Sequence, residues 1–362
     1  MRNNKMPLAK KLENFTDKIY ELYDLPSLLL GVYKAGEKIT SVRGYRNYIT
    51  KDKLCKHDIF HCSSLSKLLT SAGIMKLIEA EKIALEDKLL DILPYLSIAD
   101  KRCKDIGLLH LLSHTSGIPD VKDYHWESPV TEGEALKSYA ASEEIKEMSL
   151  LAPPGEGRFI YSNVGYDILG LVIEEVTGLD FEEYMKREIL FPLEMGNSRF
   201  DTWRRAGESL KSEALEKAGF AMPHGKSRDK SIVREKIYPY TAIHAPSSTL
   251  TSSGDDLLKF CAANLKGGLL EKSFKRSTEK TMALVPHTSE EMGLGWFKKL
   301  YRGYELMGHE GGDNGFRCSL WICPRLDAAF VILSNITNAP LKSIGKKLFD
   351  DLLAPEAAPA GS

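Results

Sequence analysis

The chain has 362 residues, 43% hydrophobic and 27% charged, with 49 Lys and Arg against 50 Asp and Glu. A formal net charge of −1 gives no reason to expect the basic surface that binds nucleic acid or anionic membrane non-specifically. The hydrophobic content excludes bulk disorder, and the length suggests two to three domains or one domain with a second lobe.

Residues 1–18 contain no apolar core of a secretory signal, and no stretch approaches the roughly 20 apolar residues of a membrane span. Residues 8–23 place Leu8, Leu12, Phe15, Ile19 and Leu22 at helical spacing, which predicts an amphipathic helix. Residues 27–33 and 38–42, around Ala35-Gly36, predict a hairpin. From Ser64 to about residue 80 the apolar positions are helical again. Residues 108–145 read as helix and loop, and 164–190 as one or two helices stopped by Gly178. Residues 204–236 are charged and weakly periodic, so an exposed, mobile flap is expected. Residues 255–266 read as helix. Short strand-like runs follow at 294–298, 304–307, 316–322 and 328–333, then a helix over 341–353. The low-complexity tail 354–362 is expected to be disordered.

Strands cluster at both ends and helices fill the middle. The fold class expected is α+β, an antiparallel sheet flanked by helices, with a mostly helical lobe (about 61–244) inserted into an α/β lobe (about 1–60 and 245–353). A site would lie in the cleft between the lobes. Cys55, Cys62, Cys103, Cys261, Cys318 and Cys323 show no metal-ligand spacing and read as free thiols of a reducing compartment. The cytoplasm is the expected location, with a trimmed exported form as the other reading.

Three segments carry candidate chemistry. Ser64 and Lys67 share a helix face at i and i+3, so a desolvated amine could take the Ser proton. Ser227, Ser277 and Ser343 also have Lys three residues on, but only Ser64 opens an apolar helix that must be buried. Tyr161-Ser162-Asn163 follows a loop and precedes a helical run. A Tyr held between cations could act as base, and the Asn amide could steer the Lys and a substrate. Tyr45-Arg46-Asn47 repeats this pattern and reads as a surface loop. His309-Glu310-Gly311-Gly312 lies in a Gly-rich stretch before a strand, where a backbone N–H could serve an oxyanion hole.

In this order, Ser64-x-x-Lys67, Tyr161-x-Asn163 and His309-x-Gly311 resemble the serine β-lactamase-related family of class C β-lactamases, low-molecular-weight penicillin-binding proteins, esterases and D-aminopeptidases. Segments 108–120, 154–178, 191–200 and 247–260 extend the likeness over about 25–353. The resemblance implies a β-lactamase/DD-peptidase-like fold and a Ser64 acyl-enzyme. It implies proton work shared by Lys67 and Tyr161, with the acylation base left open between them, and an oxyanion hole of the Ser64 and Gly312 N–H groups. Asn163 would orient Lys67 and substrate. No metal or organic cofactor is implied. The substrate would be a small ester, amide or short peptide. His114-Thr115-Ser116-Gly117 reads as a turn after the 108–113 helix, with Gly117 as its stop.

Most β-lactamases carry Lys-Thr-Gly where this chain has His309-Glu310-Gly311. A neutral His and an acid facing the cleft would disfavour a substrate carboxylate. Weak β-lactamase activity at most is therefore expected, with neutral or amine-bearing esters and amides preferred. The alternatives are a protein that acylates without efficient turnover, a true class C-like β-lactamase, and a relative without chemistry.

Overall fold

The computed structural model describes residues 6–131 and 134–354. All but Ala354 of the expected disordered tail lies outside them. One nine-stranded antiparallel sheet runs in the order Asp52–Lys53, Glu37–Asn47, Ser27–Lys34, Ala328–Ser334, Phe316–Cys323, Tyr304–Asp313, Phe297–Tyr301, Glu291–Met292, Ala283–Leu284. Both ends of the chain thus build it, with Ser27–Lys34 pairing Ala328–Ser334 at its centre.

Its two faces are covered differently. The Leu8–Tyr23 helix buries Leu12, Phe15 and Ile19 with the Leu341–Leu348 helix against the outer face, where Leu306, Trp321 and Cys323 point. Each such side chain contributes roughly 1.5–3 kcal/mol when fully buried. The inner face, with Met307, Leu320 and Ile322, packs against the helices between Ser66 and Asn264. The Ser66–Glu79 helix is the hub of that layer. It is buried from Ser66 to Ile78 except at Lys76, as a core helix is. The Asn163–Thr177 helix packs beside it and ends at Gly178, whose φ of 69° permits the left-handed stop.

Three local expectations need correction. Within 204–236, residues 220–225 are buried rather than flap-like. Phe220, Ala221 and Met222 are fully buried, and their backbone bonds to Ile59 and Arg46 tie them to the body of the fold. Flanking charge had masked this short apolar run. The strand expected over 294–298 is displaced to Phe297–Tyr301, because Gly295 turns the chain at φ 88°. Tyr45-Arg46-Asn47 ends a strand rather than forming a loop, and Asn47 is buried.

Candidate active site

Ser64 lies in a tight 3-10 turn, Ser63–Leu65, that leads into the Ser66–Glu79 helix. Ser63 is buried with a left-handed φ of 45°, a conformation disfavoured for a non-glycine residue. The turn is pinned by Ser66 Oγ, which donates to Ser63 O at 2.7 Å and accepts from Leu250 N–H at 2.9 Å. Ser64 itself remains partly exposed.

Lys67, in the first helical turn, is fully buried. Its Nζ lies 3.1 Å from Ser64 Oγ, 2.5 Å from Asn163 Oδ1 and 2.8 Å from Ser247 O. Burial pushes its pKa down to about 7, against the opposing pull of Asp167, Asp120 and Asp313. A neutral amine has two N–H donors and one lone pair. Asn163 Oδ1 and Ser247 O take the two donors, which leaves the lone pair for the Ser64 hydroxyl.

The Tyr161 hydroxyl donates to Ser64 Oγ at 2.8 Å. Burial holds this phenol well above its usual pKa; the bond to Ser64 pulls it down, and Asp120 and Asp313 push it further up. It is therefore a neutral donor and not a phenolate held between cations. His114 braces it from behind. The Leu108–Leu112 helix ends as His114 turns left-handed at φ 56°, so His114, rather than Gly117, makes the stop. The His114 ring stacks on Tyr161 at 4.4 Å, and its Nδ1 accepts the Ser162 N–H at 3.1 Å.

Asn163 opens its helix behind the N-cap Ser162. Its Nδ2 donates to Asp120 Oδ1 at 2.9 Å and to the Tyr124 hydroxyl at 2.5 Å, which fixes Oδ1 towards Lys67. Asp120 Oδ1 also accepts the Asn163 backbone N–H at 2.8 Å.

His309, Glu310, Gly311 and Gly312 lie on the Tyr304–Asp313 strand, whose pairing with Phe297–Tyr301 stops at Gly308. Residues 309–313 therefore have an open edge, which packs against the Ser63–Leu65 turn. Asp313 and Phe316 flank the two-residue turn Asn314-Gly315, as a mutually hydrogen-bonded pair does. Alternation then turns the Gly312 N–H to the open edge, on the Ser64 side. Gly311 faces inward, where a Cβ would crowd Cys62 O and Ser63 Cβ. His309 also faces inward and is buried against Phe297 and Tyr161. Its Nδ1 bonds Glu310 O at 2.5 Å, and burial with the nearby Lys67 lowers its pKa to about 3. The ring is neutral.

Glu310 does not face the cleft, which corrects the expectation placed on it. Side chains alternate along a strand. With Met307 and His309 inward, Glu310 points outward like Leu306, where burial raises its carboxyl pKa against the opposing pull of Lys299 and Lys342.

Sequence reasoning passed over Asp120, Tyr124, the Ser247 carbonyl and two buried His–Asp pairs. His61 Nε2 bonds Asp313 Oδ2 at 2.6 Å, and His244 Nδ1 bonds Asp167 Oδ2 at 2.7 Å. Asp120 sits within segment 108–120, which had signalled the region but not the residue. Among the described residues, no group of three or more His, Cys, Asp or Glu side chains is arranged to hold a metal ion. A cavity of about 890 Å³ bordered by Glu182, Arg199 and Tyr240 touches none of the residues above. A second, about 670 Å³, is bordered by Trp126, Arg234 and Asn314.

A family model described as Beta-lactamase matches residues 12–351. Penicillin-binding protein 4* of Bacillus subtilis (strain 168) is 25% identical over 289 residues, 75% of this chain and 60% of that protein. The chain thus spans about 60% of the length of that curated relative. Among solved structures, the octameric penicillin-binding protein homologue from Pyrococcus abyssi aligns with a TM-score of 0.78 at 26% identity, over 95% of this chain and 77% of that one. A D-stereospecific amidohydrolase from Streptomyces sp. aligns with a TM-score of 0.76 at 21% identity, over 94% and 98%. That last likeness speaks to fold alone.

Proposed function

This chain belongs to the Beta-lactamase family, and from that premise we propose that it is a serine hydrolase that cleaves an ester or amide through an acyl-enzyme. The observation that carries the reading is the 3.1 Å contact between Lys67 Nζ and Ser64 Oγ, with Asn163 Oδ1 and Ser247 O placed to take two Nζ protons, so that the amine in its neutral form turns its lone pair to Ser64. Ser64 Oγ attacks the carbonyl carbon as its proton passes to Lys67. The negative charge gathers on the carbonyl oxygen between the N–H groups of Ser64 and Gly312. Collapse breaks the bond to the leaving group, which takes the Tyr161 proton, and Lys67 returns its proton to Tyr161. Water then attacks the ester by the reverse proton path, freeing Ser64.

The cleft's charge favours one substrate class. Among the described residues, neither Asp120 nor Asp313 pairs with a Lys or Arg, and His309 is neutral. A carboxylate-bearing substrate meets these two acids, while the Arg317 guanidinium beside Gly312 is engaged by the Asp313 and Phe316 carbonyls. Neutral esters and amides, or ones with a free amine near the scissile bond, suit the site better, and β-lactam turnover should be weak. Six free thiols suit a reducing compartment, and we place the enzyme in the cytoplasm.

A panel of p-nitrophenyl acetate, p-nitrophenyl butyrate, nitrocefin, D-alanyl-D-alanine peptide and D-alanine p-nitroanilide tests this. Ester or D-alanine anilide turnover that Ser64→Ala abolishes is expected. Activity surviving Ser64→Ala overturns the nucleophile, nitrocefin turnover at dedicated β-lactamase rates overturns the substrate class, and a burst without turnover overturns the hydrolase reading in favour of a trapped acyl-enzyme.

A further inference from the structure

We propose that His61 and Asp313 form a clamp that sets the spacing between the two oxyanion-hole amides, and so act as positioning residues for acyl transfer. This rests on the serine hydrolase reading above.

The two amides sit on separate parts of the fold. One, at Ser64, is carried by the Ser63–Leu65 turn. The other, at Gly312, is on a strand edge whose neighbouring strand has ended. Among the described residues, no backbone hydrogen bond joins strand to turn, so side chains fix the gap. His61 lies three residues before Ser64 and Asp313 is next to Gly312, so their bond ties the two donors with little chain between.

The His61–Asp313 contact is well suited to that task. The His61 side chain is fully buried and that of Asp313 is 12% exposed. The bond is 2.6 Å long and spans 252 residues of sequence. His61 Nδ1 is buried without a partner, so Nε2 carries the proton and donates it to the carboxylate. Such a charge-assisted bond is stronger than a neutral one. Phe316, at 5.5 Å, and Tyr238, at 6.2 Å, hold the imidazole ring. Two softer contacts cross the same seam. The Cys318 thiol donates to Cys62 O at 2.8 Å, and Gly311 lets the backbones close. Beside them Ser63 keeps its left-handed φ, a strained state that persists only where its surroundings hold it. Oxyanion donors act over tenths of an ångström, so a seam that opens slightly loses transition-state stabilisation while substrate still binds.

The test compares His61→Asn with His61→Gln in the full chain. Gln can place its Nε2–H where the imidazole Nε2–H was, and the shorter Asn cannot. Both are assayed with p-nitrophenyl butyrate and by the rate at which an alkyl fluorophosphonate labels Ser64, with Tm as a control for folding. The clamp requires His61→Asn to lower kcat and the labelling rate by about 10- to 100-fold with KM nearly unchanged, and His61→Gln to recover most of the loss. Should His61→Asn not fold, Asp313→Ala, which alters a side chain nearer the surface, decides by the same readouts. A folded variant with wild-type kcat and labelling rate, or with a change in KM alone, overturns the clamp. Wild type that neither turns over ester nor labels at Ser64 overturns the hydrolase reading itself, and the clamp falls with it.

Discussion

The Tyr161 hydroxyl donates to the same Ser64 oxygen that lies 3.1 Å from Lys67 Nζ, so one hydroxyl joins a raised phenol to a lowered amine. At neutral pH only the amine can accept a proton. The proposed mechanism therefore assigns Lys67 as the acylation base and Tyr161 as the acid for the leaving group.

This division has a signature in pH. kcat/KM should rise with pH along an acid limb near 7, as Lys67 loses its proton. Tyr161→Phe should lower kcat by roughly 10²–10⁴-fold and leave that limb in place. A limb that disappears in Tyr161→Phe would reassign the base to Tyr161.

Stability should carry the opposite mark of the same group. The folded Lys67 pKa of about 7 lies below the 10.5 of the unfolded chain, so the unfolded state binds more protons between these values. Its penalty is full below pH 7 and fades as pH rises towards 10.5, by about 5 kcal/mol at most. Lys67→Met should abolish activity yet raise the unfolding free energy at pH 6, and the gain should shrink by pH 9. Denaturant unfolding at the two pH values measures it.

His114→Ala removes both the ring behind Tyr161 and the acceptor of the Ser162 N–H. A buried donor left unpaired costs about 1–3 kcal/mol, and the cavity adds to it. Reduced Tm together with reduced kcat is expected, since Tyr161 loses its support. A variant with lower Tm and undiminished kcat per folded molecule would show that the stack positions nothing.

Two acids should behave differently in substrate choice. Glu310→Gln changes a side chain on the far face of the sheet, so kcat/KM should be unaltered for neutral and charged substrates alike. Asp120→Asn should reduce preference for an amine-bearing over a neutral amide by up to about 5-fold, the worth of one exposed ion pair. Steady-state comparison of D-alanine p-nitroanilide with its N-acetyl derivative reads both effects.

Ser64, Lys67, Tyr161 and Asn163 were legible in the sequence because each lies in a short motif whose spacing matters locally. An i, i+3 pair on a buried helix and an Asn at a helix start stay together however the rest packs. The outward turn of Glu310 was not legible, because a one-residue shift of strand register reverses every side chain. His61, Asp313, Asp167 and His244 were not legible either. Each is a single polar residue whose partner is set by packing between distant segments. The central sheet could be read from apolar strand-like runs at both ends, whereas Phe220–Met222 lay too deep in charged sequence to show a period.

The Ser66–Glu79 helix, which carries Lys67 and follows directly on Ser64, is walled by the Asn163–Thr177, Ala245–Ser248 and Glu271–Glu279 helices. It has no surface along which to loosen by itself. Its amides should exchange with solvent only when the whole molecule opens, and heat should destroy activity and native structure at one temperature. A covalent inhibitor on Ser64 would then report, through a raised Tm, on the stability of the entire protein.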